Sequence, residues 1–191
     1  MKRALWATAV LCLSAAGVAQ AYPEFQRYSK ERSGRSINCA LCHTHSDGPE
    51  GLRAGQIGSL TQEELDTLGL ARQATAPGSG LKSPILNGFG NLMLDELGRD
   101  RIQELRQRPE SLAESLPAGS DLDGDGIPDG QEYLDGTHPL NSLDGQPLKL
   151  FRNNLGRHGF HIAMMVLATA LGLYGLHNAI LWLSTQTGKE K

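Results

Sequence analysis

The sequence predicts a mainly α-helical protein, in which one small exported domain is followed by a single C-terminal transmembrane helix. Apolar residues recur at helical spacing from Ile85 to Leu97, and no clear strand-like alternation of apolar and polar residues occurs in the domain. Phe160–Leu183 contains no Asp, Glu, Lys or Arg. Between an N-terminal signal and this apolar segment lie about 135 residues, enough for one domain.

Residues 1–21 have the pattern of a secretory signal peptide. Lys2 and Arg3 precede an apolar stretch, and Ala19-Gln20-Ala21 has the A-x-A pattern of a cleavage site. Cys12 lies inside the apolar stretch and would be removed with it. Loss of the two basic residues changes the formal net charge from −3 to −5, so we expect no nucleic-acid partner.

The segment Cys39-Ala40-Leu41-Cys42-His43 has the C-x-x-C-H spacing of a covalent c-type haem site. Each thiol can add to one haem vinyl group, and the adjacent His43 then faces the iron. A redox dithiol usually needs a thioredoxin-like βαβ context, and a zinc site needs further ligands. We therefore predict one covalent haem c, bound by Cys39, Cys42 and His43 in a domain that spans residues 22–117.

Residues 22–38, ahead of the haem motif, are polar and basic, and we expect a solvated lead-in. The more specific alternative is that some of its basic side chains neutralise haem propionates or face an acidic partner. These side chains are Arg27, Lys30, Arg32 and Arg35.

The helices that follow the motif are predicted from their end signals. Residues 44–60 are rich in glycine and indicate a loop. Thr61 and Glu64 have the spacing of a capping box, so a helix begins there. Residues 71–82 are rich in Ala, Gly, Ser and Pro, which indicates a linker inside the domain.

Ser83-Pro84 has the pattern of an N-cap followed by proline at the first helical position. We expect the helix after it to run through Ile85–Leu97. Two shorter helices are predicted around Arg101–Gln107 and Pro109–Leu116, the second ended by Pro117.

Met93 is our candidate for the sixth iron ligand, because it is the only methionine left in the exported domain after the signal is removed. The alternatives are that Met93 is a core residue, that His138 or His158 is the ligand, or that the iron keeps an open face.

Residues 121–132 match the calcium-loop pattern D-x-D-x-D-G-x₅-E at every specified position. Calcium takes six to eight oxygen ligands. Clustered carboxylates would repel one another without a cation. The expected ligands are the side chains of Asp121, Asp123, Asp125, Asp129 (directly or through water) and Glu132, together with the carbonyl of Ile127. We expect a structural Ca²⁺ in a segment, residues 118–145, packed on the haem domain.

Residues 121–141 resemble a thrombospondin type 3-like (EF-hand-like) calcium repeat of bacterial exported proteins. The common ending is G-T-D-P-L-N, and this chain has His138 in place of the aspartate. The order of C-x-x-C-H, then Leu86-Asn87-Gly88-Phe89-Gly90, then the acidic loop resembles a group of exported monohaem c-type cytochromes. The resemblance covers roughly residues 22–145 and implies a membrane-tethered electron carrier with a cytochrome c-like helical domain.

The C-terminal region is predicted to consist of a juxtamembrane linker (146–158), a transmembrane helix (159–184) and a cytoplasmic tail (185–191). The segment Phe160–Leu183 would span roughly 36 Å as a helix, enough to cross a bilayer. The alternative is a buried core helix, but the domain is too small to surround one. The export signal places the domain on the periplasmic side of the inner membrane, with a single pass through it.

Small residues recur along one face of this helix, which lets a partner helix approach closely in lipid. They are Ala168, Gly172, Gly175 and Ala179. We expect this face to meet an integral membrane redox complex. His161 and His177 are intramembrane ionisable residues, which are candidates for a b-type haem or a quinone site.

These observations predict a membrane-anchored periplasmic c-type cytochrome that is not an enzyme itself. It would transfer single electrons between a membrane respiratory complex and another redox partner, an exported carrier or enzyme. The first alternative is a haem subunit of a larger membrane oxidoreductase complex. The second is a sensor or enzyme with an open haem face.

Overall fold

The computed structural model describes residues 22–187, and this part of the chain is mainly α-helical, as predicted. It contains six α-helices and no β-strand. The helices are α1 (Pro23–Ser33), α2 (Gln62–Gln73), α3 (Gly88–Leu105), α4 (Leu112–Ser115), α5 (Asp129–Asp135) and α6 (Pro147–Thr187), with 3₁₀ turns at Cys39–Leu41, Ile57–Ser59 and Pro109–Ser111. The predicted signal peptide, its cleavage site and Cys12 lie outside the described residues.

The described chain forms two compact units. The first consists of residues 22–124 with 128–145, and the second of residues 125–127 with 146–187. The core of the first unit is built from α1, α3, α4 and α5 together with the haem motif. Its fully buried apolar side chains are Phe89, Leu105, Leu112 and Tyr133.

Helix α1 replaces the solvated lead-in that the sequence predicts. Pro23 occupies its first turn, where a missing N–H costs nothing, and Gly34 ends it in the left-handed conformation with φ of +70°. Phe25 and Ser29 are buried, and the Ser29 hydroxyl donates to the Tyr133 carbonyl at 2.5 Å. Arg27, Lys30 and Arg32 therefore belong to a helix that packs partly into the core, whereas Arg35 lies beyond its end.

Helix α2 begins as predicted. The Thr61 hydroxyl accepts from the Glu64 N–H at 3.3 Å, and the Glu64 carboxylate accepts from the Thr61 N–H at 2.7 Å. The Thr61 N–H and the Thr61 hydroxyl both donate to the Glu64 carboxylate, which holds the pKa of Glu64 below its ordinary value.

Helix α3 begins later than predicted, because Asn87 and not Ser83 is its N-cap. The Asn87 side chain accepts from the Gly90 N–H at 2.9 Å. The residues after Ser83 instead form a turn, in which the Leu86 N–H donates to the Ser83 carbonyl at 3.1 Å, and Leu86 pairs in antiparallel fashion with His43. A tertiary contact has thus overridden the local Ser-Pro signal.

The predicted helix at Arg101–Gln107 is the second half of α3. Gly98 interrupts the helix with φ of +66° and ψ of 165°. A Cβ at this position would lie 2.5 Å from the Thr75 carbonyl oxygen, so the linker packs directly against the break. The predicted stop at Pro117 is confirmed, since α4 ends at Ser115 and Leu116 is extended.

Helix α6 is long and apolar enough, by length and composition, to cross a membrane once. Residues 147–158, predicted as a juxtamembrane linker, are helical and belong to the same 41-residue helix. The side chains described along its apolar part are exposed.

Candidate haem site and acidic loop

The C-x-x-C-H motif folds into a single tight turn. Its first residues form the 3₁₀ turn Cys39–Leu41, which Asn38 caps by accepting from the Ala40 N–H at 2.9 Å. The His43 N–H then donates to the Cys39 carbonyl at 2.9 Å. Both cysteines are free thiols. The turn therefore brings two thiols and one imidazole to the same place.

A cavity of about 540 Å³ opens beside this turn, within the usual range for ligand and cofactor pockets. Cys39, Cys42 and His43 line it. Most of the remaining wall is apolar and comes from α1, α2, α3 and the segment before α3. Its main apolar members are Phe25, Leu41, Ile57, Leu68, Ile85, Leu94 and Ile102. An apolar cavity with two thiols and an imidazole at one wall fits a covalently attached haem.

The ring of His43 is oriented by a hydrogen bond. Its Nδ1 lies 3.2 Å from the Ile85 carbonyl oxygen, which fixes Nδ1 as the protonated nitrogen and leaves Nε2 available. Burial lowers the pKa of His43, and the bond to Ile85 partly opposes this. The neutral imidazole with a free Nε2 is the form that binds a metal.

Cys42 and Met93 are in contact. Burial raises the pKa of the Cys42 thiol to about 12, so it is uncharged at neutral pH. Its Sγ lies 3.9 Å from the Met93 Sδ. Met93 is 4 % exposed and belongs both to the cavity wall and to the hydrophobic core. Its role as the sixth iron ligand remains a prediction.

His138, the other candidate ligand in the first unit, uses both ring nitrogens elsewhere. Nδ1 accepts from the Leu140 N–H at 3.2 Å, so Nε2 carries the proton. Nε2 lies 3.0 Å from the Ala40 carbonyl oxygen, to which it donates. The histidine that replaces the usual aspartate of the calcium repeat thus holds the haem motif. His158 lies in α6, in the second unit.

The Leu86–Gly90 segment docks onto the same turn. The Asn87 side-chain amide donates to the Ala40 carbonyl at 2.5 Å and to the Leu41 carbonyl at 3.2 Å. The Asn87 N–H donates to the Cys42 carbonyl at 3.1 Å. Asn87 therefore caps α3 and pairs three motif carbonyls. The only sequence signal for this role is an Asn three residues ahead of Gly90.

The acidic loop brings three of its predicted calcium ligands together. Carboxylate oxygens of Asp121, Asp123 and Asp125 lie within 4.8 Å of one another and could hold a metal ion. Asp129 and Glu132 are fully buried.

The buried acidic side chains also order the loop. The Asp129 carboxylate accepts from the Leu122 N–H at 3.0 Å and from the Ser120 hydroxyl. Glu132 accepts from the Thr137 hydroxyl at 3.1 Å. The Ile127 N–H donates to Asp125 at 2.6 Å. Calcium at this loop, including the Ile127 carbonyl as a ligand, stays a prediction.

Gly90→Ala is expected to destabilise the first unit. A Cβ at this position would lie 2.2 Å from the Cys42 carbonyl oxygen, a backbone atom that cannot move without disturbing the motif. We expect the free energy of unfolding to fall by about 1–3 kcal/mol. Denaturant unfolding of the detergent-solubilised protein, followed by near-ultraviolet circular dichroism of the buried tyrosines, measures it.

Gly69→Ala in α2 is the matched control, because nothing lies within 4 Å of its added Cβ. This change should stabilise the helix by roughly 0.5–1 kcal/mol. Equal effects of the two substitutions would show that Gly90 is not a close-contact position.

Calcium is expected to raise the melting temperature of the protein, and a chelator to lower it. A site filled at a hundred times its dissociation constant stabilises the folded chain by about 2.7 kcal/mol. Asp123→Asn should remove most of the calcium effect, whereas Asp100→Asn, at an exposed position on α3, should preserve it. If calcium does not change the melting temperature of the unaltered protein, the predicted calcium site is contradicted.

The identification of this site depends on its residues and their geometry alone. Comparison of the chain with protein-family models, curated proteins and solved structures finds no match.

Proposed function

We propose that this protein is a membrane-anchored, periplasmic c-type cytochrome that transfers single electrons. The observation that carries the proposal is the Cys39–His43 turn beside an apolar cavity, with His43 Nδ1 bound to Ile85 and Nε2 available. In this proposal the first unit is a small cytochrome c-like domain, and the acidic loop is its structural calcium site.

Each residue of the turn has a separate task. Cys39 and Cys42 would provide the two sulfurs for thioether bonds, and His43 would provide a nitrogen ligand for the iron. Haem, when bound, supplies reversible one-electron exchange between its two iron oxidation states. The Ile85 carbonyl fixes the tautomer of the His43 imidazole and raises its basicity.

The walls of the cavity determine the polarity around the proposed haem. Apolar side chains exclude water, and a low-polarity site disfavours whichever oxidation state carries more net charge. Arg72 and Arg99 also line the cavity. Arg99 donates to the Arg72 carbonyl at 2.6 Å, so one of these cations is held in place at the wall. Both are available to neutralise haem carboxylates.

Membrane attachment follows from α6, in the orientation that the export signal predicts. A single anchored helix keeps the soluble domain close to the outer face of the inner membrane, where an integral redox complex can exchange electrons with it. The same arrangement serves a haem subunit of a larger complex, and stable co-purification would distinguish a subunit from a free-standing carrier.

Covalent haem is the first expected outcome. The protein isolated from membranes of a host with cytochrome c maturation should keep its haem after denaturing electrophoresis, because thioether bonds survive unfolding. Cys39→Ser with Cys42→Ser should abolish the haem signal at unchanged protein level. Ala40→Ser, at a position that the spacing leaves free, is the control and should retain it.

A reduced sample of the purified protein should be oxidised by a one-electron acceptor with matching loss of its reduced haem spectrum. If the unaltered chain carries no covalent haem in such a host, the proposed function is wrong. If the reduced protein binds carbon monoxide readily, the open-site sensor or enzyme becomes the better interpretation.

Partner contact through the small-residue face of α6 can be tested separately. Nothing lies within 4 Å of an added Cβ at Gly172 or Gly175, so the face is accessible. Gly172→Leu with Gly175→Leu should reduce co-purification of membrane proteins in mild detergent, because the helices can no longer approach closely. Ala170→Leu, off this face, should leave co-purification unchanged. Equal effects of the two changes would contradict the docking face.

A further inference from the structure

We propose that the α-amino group of Tyr22, released by removal of the signal peptide, is the sixth ligand of the haem iron. The inference rests on the proposed haem c function and assigns the second axial position of that same site. In this assignment the sixth ligand is the first backbone nitrogen of the mature chain and not a side chain.

Tyr22 lies at the wall of the cavity that contains the candidate haem site. Tyr22 and Pro23 line the cavity that Cys39, Cys42 and His43 line from the motif side. The predicted cleavage after Ala21 makes Tyr22 the first residue of the exported chain. The site of attachment and the new chain terminus therefore share one cavity.

A terminal amine has suitable chemistry for this position. Its pKa of about 7.7–8.0 in an ordinary chain lies more than two units below that of a lysine side chain. A neutral amine with a free lone pair is therefore accessible near neutral pH, whereas an arginine at the same wall stays protonated. Like imidazole, the amine gives the iron a nitrogen ligand.

Tyr22 is also held in place by its neighbours, so binding of its amine would cost little conformational entropy. Pro23 fixes the backbone at the first turn of α1, and Phe25 is buried two residues further on. The Tyr22 ring lies under the Arg106 guanidinium, 4.7 Å from its ring centroid. Arg106 is in turn paired with Glu24 at 2.8 Å. The Tyr22 ring is thus packed against Arg106 beside the cavity.

Several other donors near the cavity are engaged. The Gln26 amide donates to the Ile37 carbonyl at 2.5 Å, and Asn38 caps the motif turn. His138 uses both ring nitrogens. Met93 lies against the Cys42 sulfur, which the proposed function assigns to a thioether bond.

The test uses the full-length protein with covalent haem, purified in detergent. Its N-terminus is first determined by mass spectrometry and should be Tyr22. One glutamine is then inserted between Ala21 and Tyr22, which displaces the amine by one residue and keeps every side chain. We expect the variant to retain covalent haem but to lose the six-coordinate low-spin spectrum, and its reduced form to gain carbon monoxide binding.

Two substitutions serve as matched controls. Tyr22→Phe keeps the amine and removes only the phenol, so its spectrum should equal that of the unaltered protein. Met93→Leu removes the competing thioether and should leave the haem six-coordinate. Loss of six-coordination in either control, a mature terminus other than Tyr22, or an insertion variant with an unchanged spectrum would each overturn the inference.

Chemical labelling gives a readout that needs no variant to fold. In the native holoprotein, a reagent selective for terminal amines should fail to modify Tyr22, whereas the acid-denatured protein should be labelled. Full labelling of the native protein without a spectral change overturns the assignment. Absence of covalent haem in the unaltered protein would contradict the proposed function itself. A failure of the ligand assignment alone is therefore distinguishable from a failure of the haem c function.

Discussion

The pairing of the three carbonyls at Ala40, Leu41 and Cys42 is the constraint on which the rest of the first unit depends. A tight turn beside an apolar cavity cannot leave these oxygens without donors, because an unpaired buried polar group costs about 1–3 kcal/mol. Asn87 supplies donors to all three, and His138 supplies one more to Ala40. Two distant parts of the chain are thereby attached to one turn.

Much of the core follows from this attachment. Because Leu86 pairs with His43, α3 begins only at Gly88, and its first turns carry Phe89 and Met93 into the core. Gly90 allows the helix backbone to pass directly over the Cys42 carbonyl. The helix thus approaches the motif as closely as its backbone permits.

The sequence was informative where a signal was local. The Thr61–Glu64 capping box and the stop before Pro117 need only neighbouring residues, and both were predicted correctly. The Ser83-Pro84 signal failed because the backbone after it pairs with His43, forty residues earlier in the chain. Such a pairing has no local pattern. The C-x-x-C-H segment and the acidic loop are likewise local patterns; the haem and the calcium that they predict remain predictions.

The contacts of single residues were harder to predict. Helix α1 was taken for a solvated lead-in because its sequence is mostly polar. One buried aromatic residue, Phe25, and one hydroxyl, Ser29, are enough to fix it. His138 was interpreted as a missing calcium ligand and as an alternative iron ligand, since nothing in its surroundings indicates Ala40, almost a hundred residues away. Long-range polar pairs of this kind require the fold before they can be seen.

The order of these contacts along the chain matters for how the protein is made. Under the proposed function, a chain exported from its N-terminus exposes Cys39 to His43 well before Asn87 emerges, and His138 follows later still. Haem would therefore be attached while the two thiols and the imidazole are still uncovered. Helix α3 and the end of the acidic loop would close over the turn afterwards, so that folding would enclose a group already bound.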